Sequence, residues 1–253
     1  MFHPRGPTFW ELARQCLSST ERGYDLLAPK FDVTPFRTPD FVLDGLAKCL
    51  GEPRSIDAAL DLCCGTGAAF RILRPLVRES GRVVGIDFSQ GMLDVARRHY
   101  PNEPEQPPVE LVRGDVLDMQ FDREFDLAVT AGSLGHILPR DEPRFVERIF
   151  AALRPGGRFA FVTVETPPWW SRRAMLSRAF NAAMRVRNAI HRPPFIMYYL
   201  TFLLPDVQRL LERQGFEVAV FDDAFEGRYA LLRVVVATRP ASPTVHKQLA
   251  ATG

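Results

Sequence analysis

Residues 61–67 read Asp-Leu-Cys-Cys-Gly-Thr-Gly, so an apolar run ends in one acid, two thiols and two glycines within seven positions. Three chemistries could use these types: a metal or redox pair, a dinucleotide loop, or a pocket for another charged cofactor. The metal reading is set aside first. Neighbouring cysteines on an extended chain point to opposite faces and cannot bridge each other without strain. The other cysteines, Cys16 and Cys49, form no C-x-x-C pattern with them. Reduced thiols packed as small apolar groups are the expectation, with no metal.

The glycines let a backbone approach a ligand that any side chain would block. A dinucleotide loop reads G-x-G-x-x-G, its third glycine allowing close helix packing. Here the run from Gly65 is G-T-G-A-A-F, with Phe70 in the third place. Asp87 follows Gly67 by 20 residues, where a carboxylate can accept from both hydroxyls of a ribose. That feature suits a nicotinamide dinucleotide and S-adenosylmethionine equally. Asp115 closes the next strand-like run and could accept from an exocyclic amine such as adenine N6. Three acids at successive strand ends, Asp61, Asp87 and Asp115, suit an ammonium, a ribose and an adenine without phosphate. A pyrophosphate would be repelled by Asp61, so the electrostatics favour S-adenosylmethionine.

The chain resembles the class I S-adenosylmethionine-dependent methyltransferases over about residues 24–237. The resemblance rests on "ALDLCCGTG", "VVGIDFSQGML", "RGDVLDM" and "LRPGGRFAFV". Within the class these stretches, with "YDLLAPKFD" near the N-terminus, look most like the ubiquinone and menaquinone biosynthesis methyltransferases and their relatives. The resemblance implies that Asp61 and the backbone of Cys63, Gly65, Thr66 and Gly67 hold the methionine part of the cofactor. It implies that Asp87 takes the ribose, Phe88 and Met92 lie against the adenine, and Asp115 and Val116 flank it. Thr130 and Ala131 would line the methionine side, and Tyr24 would cover the cofactor. One departure stands out: the commonest form of the first motif has glycine where this chain has Cys63. A small thiol there is expected to leave cofactor binding intact.

These residues need a frame that places them together. Apolar strand-like runs alternate with helical ones of about ten residues from "IDAALDLCC" to "GGRFAFVTVE". That alternation predicts an α/β doubly wound, seven-stranded, mostly parallel sheet with an antiparallel C-terminal strand. "AAFRILRPLVRES" reads as a helix shortened or kinked by Pro75. The expected organisation is an N-terminal helical cover over 1–50 and a cofactor-binding domain over 51–238. A helical insertion over 166–205 follows the fifth strand, and 239–253 form a disordered tail.

Methyl transfer from a sulfonium mainly requires alignment of the nucleophile and exclusion of water. A base is needed only where the accepting atom must lose a proton. His136, in "GSLGHI", is the candidate catalytic group, since an ordinary imidazole can act as a base near neutrality. Tyr198 and Tyr199 are candidates for orienting a substrate. The insertion has no acid between Glu165 and Asp206 but carries Arg172, Arg173, Arg178, Arg185, Arg187 and Arg192. Helical spacing sets Arg178, Arg185 and Arg192 on one stripe, with Leu176, Phe180, Ala183, Met184 and Ile190 opposite. Together with Trp169 and Trp170, residues 169–192 could form a substrate lid, a peripheral membrane contact, or both.

The chain has a net charge of +2, 46% hydrophobic and 25% charged residues. Those values give no broad basic face, and no nucleic-acid partner is expected. The opening residues lack the pattern of a secretory signal. The longest apolar run, 195–204, is half of the roughly 20 residues a membrane span requires. A cytoplasmic protein, with possible peripheral membrane contact, is the expectation. The expected reaction is methyl transfer to a small or lipophilic acceptor. An NAD-dependent oxidoreductase and a non-catalytic S-adenosylmethionine-binding protein at a membrane stand as alternatives.

Overall fold

The computed structural model describes residues 4–241; the expected tail lies outside them from residue 242 onward. Before the sheet come α1 (Phe9–Cys16), α2 (Thr20–Leu27) and α3 (Asp40–Ala47), with a 3₁₀ turn over Ala28–Val33. Thr8 and Ser19 accept from the backbone of α1 and α2 as N-caps, satisfying amides the helices cannot use internally. The strand and helix order then runs β1 (Ile56–Leu62), α4 (Phe70–Leu73), β2 (Val77–Asp87), α5 (Gln90–His99) and β3 (Val109–Arg113). Next come β4 (Phe125–Thr130), α6 (Glu142–Ala152), β5 (Leu153–Val164) and α7 (Arg172–Ile190). The final elements are α8 (Asp206–Gln214), β6 (Glu217–Phe221) and β7 (Leu232–Thr238).

Among the described residues the seven strands form one sheet in the order β3-β2-β1-β4-β5-β7-β6. Its pairings are parallel except those of β7, which runs antiparallel to both β5 and β6. β1 is buried along almost its whole length, as a central parallel strand covered on both faces must be. Leu60 and Leu62 pack into one core with Ile86, Phe145 and Phe159, while Ala59 faces a second core with Leu43, Phe70 and Leu127. The chain leaves β1 toward β2 and β3 on one side and returns through β4 and β5 on the other. The crevice above β1 and β4 is therefore the switch point at which such sheets bind ligands.

Two elements differ from the sequence reading. The helix expected over residues 68–80 is a single turn, α4, followed by a 3₁₀ turn at Arg74–Leu76. Pro75 has no amide hydrogen, and its ring crowds the preceding turn. The carbonyls of Pro75 and Leu76 instead accept from the amides of Arg54 and Ser55 at 2.9 and 2.8 Å, and β2 begins at Val77. The second difference is α7. It ends at Ile190, which leaves Arg192 beyond the helix. Leu176 and Ile190, on the stripe opposite Arg178 and Arg185, are 72% and 81% exposed.

Phe70 explains the missing third glycine. Its fully buried ring lies where a β-carbon on Gly67 or Gly85 would stand within 2.9 Å of it. The aromatic ring fills the gap between helix and sheet that the third glycine of a dinucleotide loop would close.

Candidate cofactor and active site

The loop after β1 is held by its neighbours in a conformation that exposes its backbone. The amide of Cys64 donates to the carbonyl of Ile86 at 3.0 Å, and that of Gly65 donates to Asp87 Oδ2 at 2.9 Å. Gly65 has φ +54, and a β-carbon there would meet nothing within 4 Å. That open space lies toward the cavity which Gly65 lines. Cys63 also has φ +54, a region that costs an L-residue about 1–2 kcal/mol. The departure at Cys63 is therefore a matter of backbone conformation as well as size. Burial pushes both thiols, Cys63 and Cys64, above the ordinary range, consistent with inert filling groups.

The acids differ in their surroundings. Asp61 is 2% exposed, and its Oδ2 has no hydrogen-bond partner among the described residues. Burial, with the nearby charge of Asp87, raises its pKa well above the ordinary carboxylate value. An unpaired buried carboxylate is costly, and a cationic ligand group would relieve it. Asp87 accepts from the amides of Gly65 and Ser89, each at 2.9 Å, while burial still lifts its pKa to about 6. A carboxylate has about four acceptor positions, so two remain for a ligand diol. Asp115 is exposed, and its Oδ1 accepts from the amide of Leu117 at 2.9 Å. It stands outside the lining of the cavity, as do Asp61, Gly67, Val116 and Thr130. Val116 belongs to the core beside Leu60 and Ile86.

The cavity is lined by Cys63, Gly65, Thr66, Asp87, Phe88 and Met92 from the first half of the sheet, and by Ala131 and His136 after β4. Tyr24, Phe31, Phe36 and Thr38 close it from the N-terminal segment. The sequence reading gave no role to Phe31, Phe36 and Thr38: Phe31 lies within the quoted "YDLLAPKFD" without being singled out, and Phe36 and Thr38 follow in a Pro-rich stretch without periodicity. Ser133, also in the lining, forms a hydroxyl pair with Thr130 at 2.5 Å. The N-terminal segment is tied down at several points. Thr66 Oγ1 donates to Asp32, Ser89 Oγ donates to Asp25, and Thr38 Oγ1 donates to the carbonyl of Ala131. The resulting volume is about 80 Å³, well below the roughly 300 Å³ at which ligand pockets begin. A nucleoside-sized ligand therefore requires this segment to shift outward.

His136 sits in a 3₁₀ turn, Leu134–His136, just after β4. Its Nδ1 lies 2.6 Å from the carbonyl oxygen of Ile196, which can only accept, so Nδ1 carries the proton. Nε2 is then an acceptor, and the Tyr24 hydroxyl donates to it at 2.7 Å. Burial holds the imidazole below its ordinary pKa and the Tyr24 phenol above its own. Both are neutral at physiological pH. Tyr198 and Tyr199 are absent from this cavity. They line a separate groove of about 840 Å³ beside α7, with Arg178, Arg185 and Asn181.

A cradle of exposed backbone, a buried carboxylate without a partner and a diol-ready acid fit S-adenosylmethionine. Sheet order and site together define the class I S-adenosylmethionine-dependent methyltransferase fold. Residues 59–157 match a family described as a methyltransferase domain. The 2-phytyl-1,4-naphtoquinone methyltransferase of Nostoc punctiforme is 34% identical over 115 residues, covering 45% of this chain and 49% of that protein. The demethylmenaquinone methyltransferase of Lactococcus lactis is 29% identical over 161 residues, covering 62% and 60%. The solved complex of DhpI with SAH superposes with a TM-score of 0.63 at 21% identity, covering 93% of this chain and 100% of that one; at that identity the likeness shows the fold. The chain spans about half the length of the first of these curated relatives. It carries a methyltransferase domain of the S-adenosylmethionine-dependent class, distantly related to the menaquinone-type enzymes.

Proposed function

We propose that this chain transfers the methyl group of S-adenosylmethionine to a small or lipophilic acceptor. The observation that carries the reading is Asp61, a buried carboxylate whose Oδ2 has no partner at the strand end beside the open glycine loop. In this reading Asp61 and the backbone from Cys63 to Gly67 bind the amino acid part of the cofactor. Asp87 accepts from the ribose hydroxyls, and Phe88 and Met92 pack on the adenine. Asp115 and Val116 are assigned to the adenine edge, and Thr130 and Ala131 to the methionine side. Bound there, the cofactor supplies a methyl group on a positively charged sulfur.

The segment before β1 acts as a cover that excludes water once the cofactor is in place. Tyr24 and His136 form a proton path. An acceptor that must lose a proton passes it to the Tyr24 oxygen, while the Tyr24 hydroxyl proton moves to His136 Nε2. The Ile196 carbonyl keeps the imidazole in the tautomer that can receive it. The names of the two curated relatives specify a 2-phytyl-1,4-naphthoquinone and a demethylmenaquinone acceptor, which supports a lipophilic ring as the first acceptor class to test.

The direct test is calorimetric titration with S-adenosylhomocysteine, with NAD run in parallel. Micromolar binding of the first and none of the second supports the reading; the reverse sinks it. Asp61→Ala should weaken S-adenosylhomocysteine binding far more than Cys64→Ala, and equal losses would remove the role given to Asp61.

A further inference from the structure

Helix α7 is amphipathic in an inverted sense. The residues turned toward the protein follow a 3/4 spacing: Ala174, Ser177, Asn181, Met184 and Asn188, all buried or half-buried. Two of them grip the segment beneath. Asn181 donates to the carbonyl of Tyr199 and accepts from its amide, at 2.8 and 2.9 Å. Asn188 does the same to Phe195, at 3.0 and 2.9 Å. Amide side chains thus dock the helix through paired polar bonds, leaving its apolar residues elsewhere.

Those apolar residues face outward. Leu176, Ala179, Ala183, Val186 and Ile190 repeat the same spacing on the other side, and every one is exposed. Met175, Trp169 and Trp170 add to the surface at 60%, 67% and 66% exposure. At the far end, His191 Nε2 meets the carbonyl of Leu17, itself an exposed leucine. A contiguous apolar stripe of this kind marks an interaction surface.

Charge decides what covers it. Arg172 and Arg173 at the start of α7 and Arg192 just past its end flank the stripe, and none has an acidic partner among the described residues. Arg178 and Arg185 lie on the opposite side, in the groove with Tyr198 and Tyr199. No acid occurs between Glu165 and Asp206. A second copy docked stripe to stripe would set arginine against arginine, where paired helices need opposite charges along their flanks. An anionic bilayer supplies both an apolar interior for the stripe and negative headgroups for its borders. Tryptophans at one end suit the interfacial zone. From this we infer that α7 and the preceding Trp169-Trp170 pair dock the protein on an anionic lipid surface. The inference needs no bound cofactor, so it stands or falls separately from the proposed reaction.

The test is co-sedimentation of the full chain with phosphatidylcholine vesicles, with and without phosphatidylglycerol. It is run for the native protein and for a variant carrying Leu176→Ser, Val186→Ser and Ile190→Ser. These side chains are exposed, so the variant keeps its fold, its S-adenosylhomocysteine titration and its melting temperature. Native protein should bind the anionic vesicles, with a blue shift of tryptophan emission and weakening by salt. The variant should bind roughly tenfold more weakly or worse. Absence of binding, or equal binding to both vesicle types, would overturn the inference. So would a concentration-dependent dimer that the same three substitutions abolish, because it would make a second copy the occupant.

Discussion

The Tyr24 hydroxyl stands 2.7 Å from Nε2 of His136, joining residues 112 positions apart across the mouth of the cavity. Neither group is charged at neutral pH, and the proton positions are dictated by the Ile196 carbonyl behind the ring. The pair therefore serves two purposes that can be separated. It latches the N-terminal segment to the loop after β4, and it offers a neutral base reached through a phenol.

Tyr24→Phe separates them. The ring still fills its place, while the buried Nε2 loses its donor, a change worth about 1–3 kcal/mol of stability. Where the acceptor must shed a proton, turnover should fall by about 10²–10⁴ with S-adenosylhomocysteine affinity little changed. Steady-state kinetics alongside calorimetry reads this, and unchanged turnover with such an acceptor would remove the proton path.

Cys63 tests whether conformation or size governs the loop. At φ +54 glycine pays no steric penalty, whereas a β-branched residue is strained in that region. Cys63→Gly should leave stability unchanged or raise it by up to about 1 kcal/mol, or about 2–4 °C in Tm. Cys63→Val should destabilise the protein by about 1–3 kcal/mol. Thermal melts of both decide it, and equal melting points would contradict the strained backbone.

Asp61 should show a trade between stability and binding. Replacing a buried carboxylate that lacks a partner with a neutral group removes its desolvation cost. Asp61→Asn is expected to melt higher than the native protein without ligand, yet to bind S-adenosylhomocysteine at least about tenfold more weakly. Differential scanning fluorimetry with and without ligand measures both. A variant that melts lower and binds equally well would contradict the role assigned to Asp61.

Asp87 sets a pH window. Its pKa rises from 3.8 to about 6 in the folded chain, so between these values the folded state holds more protons than the unfolded one. Stability of the ligand-free protein should therefore decline as pH increases through this window. Affinity for a ribose-bearing ligand should move the opposite way, because the ionised carboxylate accepts from the diol. About one unit below its pKa, loss of the ionised form weakens binding about tenfold. Titrations across the window check the sign, and a flat affinity profile would place Asp87 outside the binding site.

Much of this was legible in local sequence. Alternating apolar runs specify a buried parallel sheet because strand and helix periods differ and each must hide one face. The acid-thiol-glycine loop and the acid ending β2 follow strand ends, so their neighbourhood is settled once the strands are. Gly215, with φ +102 at the end of α8, is likewise a local matter. Pro75 signalled a shortened helix, but how short depended on amides from Arg54 and Ser55, which sequence distance conceals.

Tertiary structure decided what depends on groups far apart in the chain. Phe31, Phe36 and Thr38 reach the cavity from a stretch without period, and the tautomer of His136 is set by a carbonyl 60 residues away. The direction of α7 is the clearest case. Its spacing permits two stripes, one apolar and one of small and amide residues, and hydrophobicity alone would bury the first. The chain buries the second, because the segment from Phe195 to Tyr199 presents backbone groups that Asn181 and Asn188 can satisfy. Buried peptide groups without partners cost more than an exposed apolar stripe, and only the folded neighbourhood shows where those groups lie.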